Sequence, residues 1–98
     1  MNSIEINDLL PILYSNDPIN IIDIRSNYEY SLNRIPTAKN ISKQLLEQLP
    51  EKYLTKEQTY YIYCQSGSSS GRLVNKLNSK GYHTVNITGG FNNYLLRK

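Results

Sequence analysis

The sequence predicts an α/β fold with three layers, in which helices cover both faces of a central, mostly parallel sheet. A nearly continuous aliphatic run over residues 19–24 is typical of a strand buried on both faces. A second run, β-branched and aromatic, covers residues 60–64. Strand-like and helix-like segments alternate along the whole chain, as they do around parallel sheets. With 98 residues, the chain is expected to form a single domain over 1–98.

The opening segment is expected to form a strand and then a helix. Ile4 and Ile6 indicate a short strand. Asn7 is placed to cap a helix that continues to about Ser15. Pro11 lies slightly too deep in this helix for an undisturbed backbone, so we expect a distorted first turn.

Capping residues delimit the elements that follow the strand at 19–24. Ser26 and Glu29 have the spacing of a capping box and predict a short helix to about residue 33. A short strand is expected next, at 38–41. Ser42 is placed to cap a third helix, which Pro50 ends.

The second half of the chain contains two further strand and helix units. The strand at 60–64 leads through a loop rich in glycine and serine into a helix that ends near Ser79. Residues 82–87 form the last strand. Gly89 and Gly90 then turn the chain into a final helix that ends near Arg97.

The charge pattern excludes several classes of partner. Eleven Lys and Arg residues against eight acids give a net charge of +3, with no run of like charge. Arg72, Lys76 and Lys80 share one helix face, which we interpret as a solvated face. The alternative is a weakly attractive surface for a small anionic substrate or an acidic partner protein. Basic and aromatic residues do not interleave as they do in nucleic-acid platforms. No apolar run approaches the length of a membrane span. We therefore expect no nucleic acid and no membrane among the partners.

The number of cysteines bears on the compartment. One cysteine cannot form an internal disulfide, which favours a reducing environment. The first residues lack the charged and apolar regions of a secretory signal. The chain is expected to be a cytoplasmic monomer.

The single cysteine, Cys64, ends a predicted strand at the edge where open α/β sheets hold their ligands. Six small or polar residues follow it: Gln65, Ser66, Gly67, Ser68, Ser69 and Ser70. Such a loop can point successive backbone N–H groups at an anion, and the next helix adds the positive end of its dipole. Both effects favour the thiolate. A lone cysteine is often an inert buried residue, but an inert one needs no polar loop, so we interpret Cys64 as a nucleophile.

Three landmarks surround the cysteine loop in order. They are IDIR at 22–25 with YEY at 28–30, RIPTAKNI at 34–41, and GGFNNY at 89–94. Together they resemble the rhodanese family, the thiosulfate sulfurtransferases, over nearly the whole chain. The resemblance implies a five-stranded parallel sheet and a sulfur-accepting role for Cys64.

The chain departs from the family pattern at a few positions. Where the family commonly has Cys-x-x-Gly-x-Arg-Ser, Ser69 takes the place of the arginine, as in short sulfurtransferases with a Gly-x-Ser-Ser loop. Asn33 and Arg34 replace the usual Gly-His pair. Tyr94 replaces the closing tryptophan, a change that affects packing.

The resemblance implies a two-step reaction. Cys64 takes sulfur from a small anionic donor such as thiosulfate or a persulfide, and passes it to cyanide or a thiol, which an acceptor protein could provide. Loop amides would stabilise the anions. No metal and no cofactor is implied, because one cysteine and the solitary His83, interpreted as a surface residue, make no ligand set.

Three residues are possible supports for the loop, namely Asp23, Arg25 and Arg72. Two alternatives to turnover stay open: a persulfide carrier for a partner protein, and a binding module. A cysteine phosphatase or arsenate reductase needs arginine at the sixth position after the cysteine. Ser70 stands there, which argues against that chemistry.

Overall fold

The computed structural model describes residues 2–97 and contains one five-stranded parallel sheet. The strands are β1 (Ser3–Ile4), β2 (Asn20–Asp23), β3 (Lys39–Asn40), β4 (Thr59–Tyr63) and β5 (His83–Ile87). Their order across the sheet is β1-β5-β4-β2-β3, and every neighbouring pair is parallel. The predicted α/β fold is confirmed. The strand that precedes the cysteine, β4, lies at the centre of the sheet.

Helices cover both faces of the sheet. They are α1 (Ile6–Leu13), α2 (Asn27–Leu32), α3 (Lys43–Gln48), α4 (Pro50–Tyr53), α5 (Ser68–Ser79) and α6 (Gly90–Leu96). Side chains alternate along each strand, so Ile21 packs with α1 and α6 whereas Ile22 packs with α3 and α5. No helix within 2–97 is both long and apolar enough to cross a membrane.

Both predicted caps in the first half are confirmed. The Ser26 hydroxyl accepts a hydrogen bond from the Glu29 amide, and the Glu29 carboxylate accepts one from the Ser26 amide, each at 3.2 Å. The Ser42 hydroxyl accepts from the Leu45 amide at 3.1 Å. These contacts fix where α2 and α3 begin.

The start of α1 differs from the prediction. Glu5 is the N-cap residue, so Ile6 is helical rather than part of a strand, and Asn7 lies inside the helix. Burial explains the shift, because Ile6 and Leu9 lie on one helix face and both enter the core. The helix ends at Leu13, earlier than expected, and Pro11 lies beyond its first turn.

Two other boundaries also differ. Pro50 follows the end of α3 as predicted but also begins a further turn, α4, because proline is well suited to the first position of a helix. The helix after the cysteine loop begins at Ser68, within the run of residues 65–70 that was expected to form the loop. Gly67 is its N-cap residue, with a left-handed φ of +93° that favours glycine. His83 is exposed at the start of β5, as predicted.

A buried ion pair joins the ends of the central strands. Asp23, the last residue of β2, has no exposed surface, and its carboxylate accepts hydrogen bonds from the Arg25 guanidinium, one of them at 2.8 Å. The Tyr63 hydroxyl donates to the same carboxylate at 2.6 Å and accepts from the Ile35 amide. Burial, followed by the hydrogen bond to Asp23, raises the pKa of Tyr63, so the hydroxyl keeps its proton.

This ion pair predicts a large effect on stability. Asp23→Ala removes one partner and leaves the Arg25 charge buried without compensation, which costs about 3–5 kcal/mol of unfolding free energy. Urea denaturation measures the loss. Lys76→Ala, which removes an exposed ion pair with Glu47, is the control and should stay close to wild type. Equal stability of the Asp23→Ala and wild-type proteins would contradict the role assigned to the pair.

Candidate active site

Cys64 immediately follows β4, at the carboxyl end of the central strand. Its residue exposure is 8%, so the thiol lies at the bottom of a depression rather than on the surface. Three residues connect it to α5, and Ser68, Ser69 and Ser70 form the first turn of that helix. The thiol therefore faces the amino-terminal end of α5, where backbone N–H groups are unpaired.

Three hydrogen-bond donors converge on the sulfur. The Gly67 amide lies 3.1 Å from Cys64 Sγ, the Ser70 amide 3.4 Å and the Ser70 hydroxyl 3.3 Å. Burial by itself would raise the pKa of the thiol. Hydrogen bonds from the Ser70 hydroxyl and from the amides of Ser70, Gly67 and Ser66 outweigh burial and lower the pKa of Cys64. The site thus favours a thiolate.

Asn86, on β5, positions the cysteine loop and the first turn of α5 through its side-chain amide. Its side-chain amide nitrogen donates to the Gly67 carbonyl at 3.1 Å, and its oxygen lies 2.6 Å from the Ser70 hydroxyl oxygen, so Asn86 and the sulfur compete for the single hydroxyl hydrogen. The sequence alone did not point to Asn86 as part of the site. A side-chain amide inside a strand is unusual enough to have been a signal, but its partners become visible only in three dimensions.

The Gly89-Gly90 turn fixes the backbone of the cysteine from the other side. The Phe91 amide donates to the Cys64 carbonyl and the Asn92 amide to the Gln65 carbonyl, both at 3.0 Å. A Cβ atom on Gly90 would lie 2.2 Å from the Cys64 carbonyl oxygen, and the φ of Gly90 is +57°. Only glycine allows this close approach.

The thiol opens into a depression of about 260 Å³. The depression is lined by Ile24, Arg25, Glu29, Lys43, Cys64, Gln65, Ser66 and Ser69. Its walls come from the segment after β2, from α2, from the start of α3 and from the cysteine loop. This volume suits a small anion. Within 2–97, no three His, Cys, Asp or Glu side chains converge as a metal site.

Asp23, Arg25 and Arg72, which the sequence suggested as supports for the cysteine loop, do not all lie next to it. Arg25 lies beside the loop, with Nη1 3.4 Å from the Gln65 side-chain oxygen, and its partner Asp23 lies behind it. Arg72 is exposed and lines a separate depression, which it shares with Ser68. Of these three residues, Arg25 lines the Cys64 depression, whereas Arg72 does not.

Comparisons with known proteins agree on one family. The profile of the Rhodanese-like domain matches residues 7–97. A putative sulfurtransferase of Bacillus subtilis, YtwF, is 32% identical over 78 residues, which cover 78% of this chain and 73% of that protein. A crystal structure of a rhodanese-like domain protein from Staphylococcus aureus is 31% identical, with a TM-score of 0.84, covering 96% of this chain and 91% of that one.

A more distant structure supports the fold alone. The human single-domain sulfurtransferase is 23% identical and superimposes with a TM-score of 0.85, covering 100% of this chain and 98% of that chain. Two sequences that share so few residues therefore keep the same arrangement of strands and helices.

The geometry around the sulfur predicts how Cys64 titrates. The rate of alkylation by iodoacetamide follows the thiolate, so its midpoint in pH should fall below about 8.5, the value of an ordinary thiol. Ser70→Ala removes the hydroxyl that donates to the sulfur. The hydroxyl hydrogen turns towards the sulfur when the sulfur is charged, because hydrogen bonds to charged acceptors are stronger. The midpoint of this variant should rise. Ser68→Ala is the control, since the Ser68 hydroxyl contacts Ser66 rather than the sulfur. A Ser70→Ala midpoint at the wild-type value would exclude this role of the hydroxyl.

Proposed function

The chain belongs to the rhodanese-like domain family, and from its sulfurtransferase-family role we propose that it transfers sulfane sulfur through a persulfide on Cys64. The donor we propose is a small anion such as thiosulfate or a persulfide. The acceptor is cyanide or a thiol, including a thiol on a partner protein. This makes the protein a thiosulfate sulfurtransferase-type enzyme.

The proposed reaction has two displacement steps. The Cys64 thiolate attacks the outer sulfur of thiosulfate, the sulfur–sulfur bond of thiosulfate breaks, and sulfite leaves with the bonding electron pair. Cys64 then carries a persulfide. A cyanide ion attacks the outer sulfur of this persulfide, thiocyanate leaves, and the thiolate is restored. No external base takes part in this scheme, because the lowered pKa of the Cys64 thiol favours the thiolate.

One observation carries the proposal: three hydrogen-bond donors converge on Cys64 Sγ at the bottom of a depression large enough for a small anion. The amide donors are backbone groups fixed by α5. They need no reorganisation when negative charge moves between the two sulfur atoms of a persulfide. Ser69 replaces a loop arginine, so the loop itself offers the anion only neutral donors. The single cysteine of the chain cannot form an internal disulfide, which suits a reducing compartment, and we propose the cytoplasm as the location.

The first prediction of this function concerns the mass of the protein. After exposure to thiosulfate, the wild-type protein should gain the mass of one sulfur atom, and cyanide should remove it. Cys64→Ser should gain none, because the hydroxyl is a far weaker nucleophile. Mass spectrometry of the intact protein reads both results.

The outcomes separate the alternatives. Turnover of thiosulfate by Cys64→Ser would overturn the assignment of the site. A wild-type protein that gains sulfur from a protein persulfide but does not turn over thiosulfate would be a carrier. Circular dichroism of Cys64→Ser controls for loss of folding.

The second prediction concerns Ser69, which lines the depression without contacting the sulfur. Ser69→Ala removes at most one neutral hydrogen bond, worth about 0.5–1.5 kcal/mol, so KM for thiosulfate should rise only several-fold. Ser69→Arg adds a charged donor and should lower KM several-fold. Steady-state kinetics decide the matter. Loss of all transfer in Ser69→Ala, with no gain in Ser69→Arg, would assign a specific role to the hydroxyl instead.

A further inference from the structure

We propose that Lys43, at the start of α3, supplies the positive charge that brings the anionic sulfur donor to Cys64. The inference rests on the proposed function, and it adds a residue that determines specificity. Lys43 lies outside the cysteine loop in sequence, but it lines the same depression as Cys64 and Ser69.

The cysteine loop has no positive charge of its own. Residues 65–70 contain no lysine or arginine. Arg72, the next basic residue along the chain, lines a different depression. A dianion such as thiosulfate must therefore be attracted by a group from another element.

Arg25 also lines the depression, with Nη1 3.4 Å from the Gln65 side-chain oxygen, but its charge is already paired with that of Asp23. Its guanidinium binds the buried Asp23 carboxylate through Nε and Nη2 and donates to the Asn33 carbonyl. It also stacks on the Phe91 ring, with Cζ 4.0 Å from the centroid. The Asp23 charge compensates that of Arg25, and the contacts hold the guanidinium in place.

Lys43, by contrast, is held by a longer and partly exposed ion pair with Glu47. Its Nζ lies 3.4 Å from Glu47 Oε1, whereas Lys76 Nζ lies only 2.7 Å from Glu47 Oε2. Lys43 can therefore leave Glu47 without leaving that carboxylate unpaired. Its side chain is 40% exposed and begins from a backbone that the Ser42 cap fixes. An anion in the depression can draw the ammonium group towards it.

Glu29 is the acidic residue on the lining of the depression. Its Oε1 accepts from the Ser26 amide at 3.2 Å and from the Ser26 hydroxyl at 3.0 Å, so its position is fixed by the capping box. The lining of the depression therefore contains a cation that can move, Lys43, and an anion that is fixed, Glu29. Removing each charge should change the preference for anions in opposite directions.

The test compares two reagents that alkylate Cys64. Iodoacetate carries a negative charge and iodoacetamide none, so the ratio of their rates measures attraction of an anion separately from the nucleophilicity of the thiol. Lys43→Gln should lower this ratio about fivefold at low salt, the effect of one unit charge about 4 Å away in water. The iodoacetamide rate should stay near that of wild type. Lys43→Arg should restore the ratio.

Two variants complete the test. Lys52→Gln removes a lysine that is exposed on α4, away from the depression, and should leave the ratio unchanged. Glu29→Gln keeps a side chain compatible with the capping box and should raise the ratio. An unchanged ratio in Lys43→Gln, or an equal fall in Lys52→Gln, would overturn the proposal.

A kinetic measurement separates this proposal from the function on which it rests. Thiosulfate carries two negative charges, so with this donor Lys43→Gln should raise KM about 30-fold and leave kcat unchanged, since the charge acts on capture of the donor. A fall in kcat with no change in KM would overturn the proposal. If the wild-type protein formed no persulfide but Lys43→Gln still lowered the alkylation ratio, the anion site would stand and the sulfurtransferase proposal would fail.

Discussion

A fully buried carboxylate, that of Asp23, imposes the arrangement of the whole carboxyl end of the sheet. Without partners its charge would be too costly to bury, so Arg25 and Tyr63 both bind it. Arg25 in turn reaches the Gln65 side chain and the Phe91 ring, which belong to the cysteine loop and to α6. The pair that satisfies a buried charge therefore also ties the elements around Cys64 to one another. Support of the loop and stability of the fold depend on the same contacts.

Cys64 is held at two separate points, and this explains why both glycine turns are needed. The left-handed Gly67 directs its own amide at Sγ, while the close approach at Gly90 lets α6 bind the Cys64 carbonyl. Asn86 adds a third support, because it binds the Gly67 carbonyl and the Ser70 hydroxyl together. The amide donors of Gly67 and Ser70 are therefore positioned before any charge develops, which is the condition under which they are most effective.

Local signals accounted for most of the fold, whereas the site depends on contacts that are distant in sequence. The run at 19–24 and the caps at Ser26 and Ser42 are encoded within a few residues, and the structure has them as expected. The entry of α5 was placed too late because Gly and Ser residues do not themselves reveal which glycine adopts the left-handed cap. The roles of Asn86 and Lys43 could not be found in this way, because each reaches the site from another element. The amide of Asn86 inside a strand was a signal, but its partners are distant in sequence, and nothing near Lys43 in the sequence marks it.

The location of the charge bears on how the sulfur reacts. A cation hydrogen-bonded to Sγ would lower the thiol pKa further, but thiolates of lower pKa are also weaker nucleophiles. In this site the groups that contact sulfur are neutral amides and a hydroxyl, while Lys43 lies on the wall of the depression. The neutral donors lower the thiol pKa with a moderate loss of nucleophilicity, and in the proposed reaction the lysine would act on the incoming anion. Separating the two tasks would let such a site attract an anionic donor without holding a persulfide so tightly that an acceptor cannot remove its sulfur.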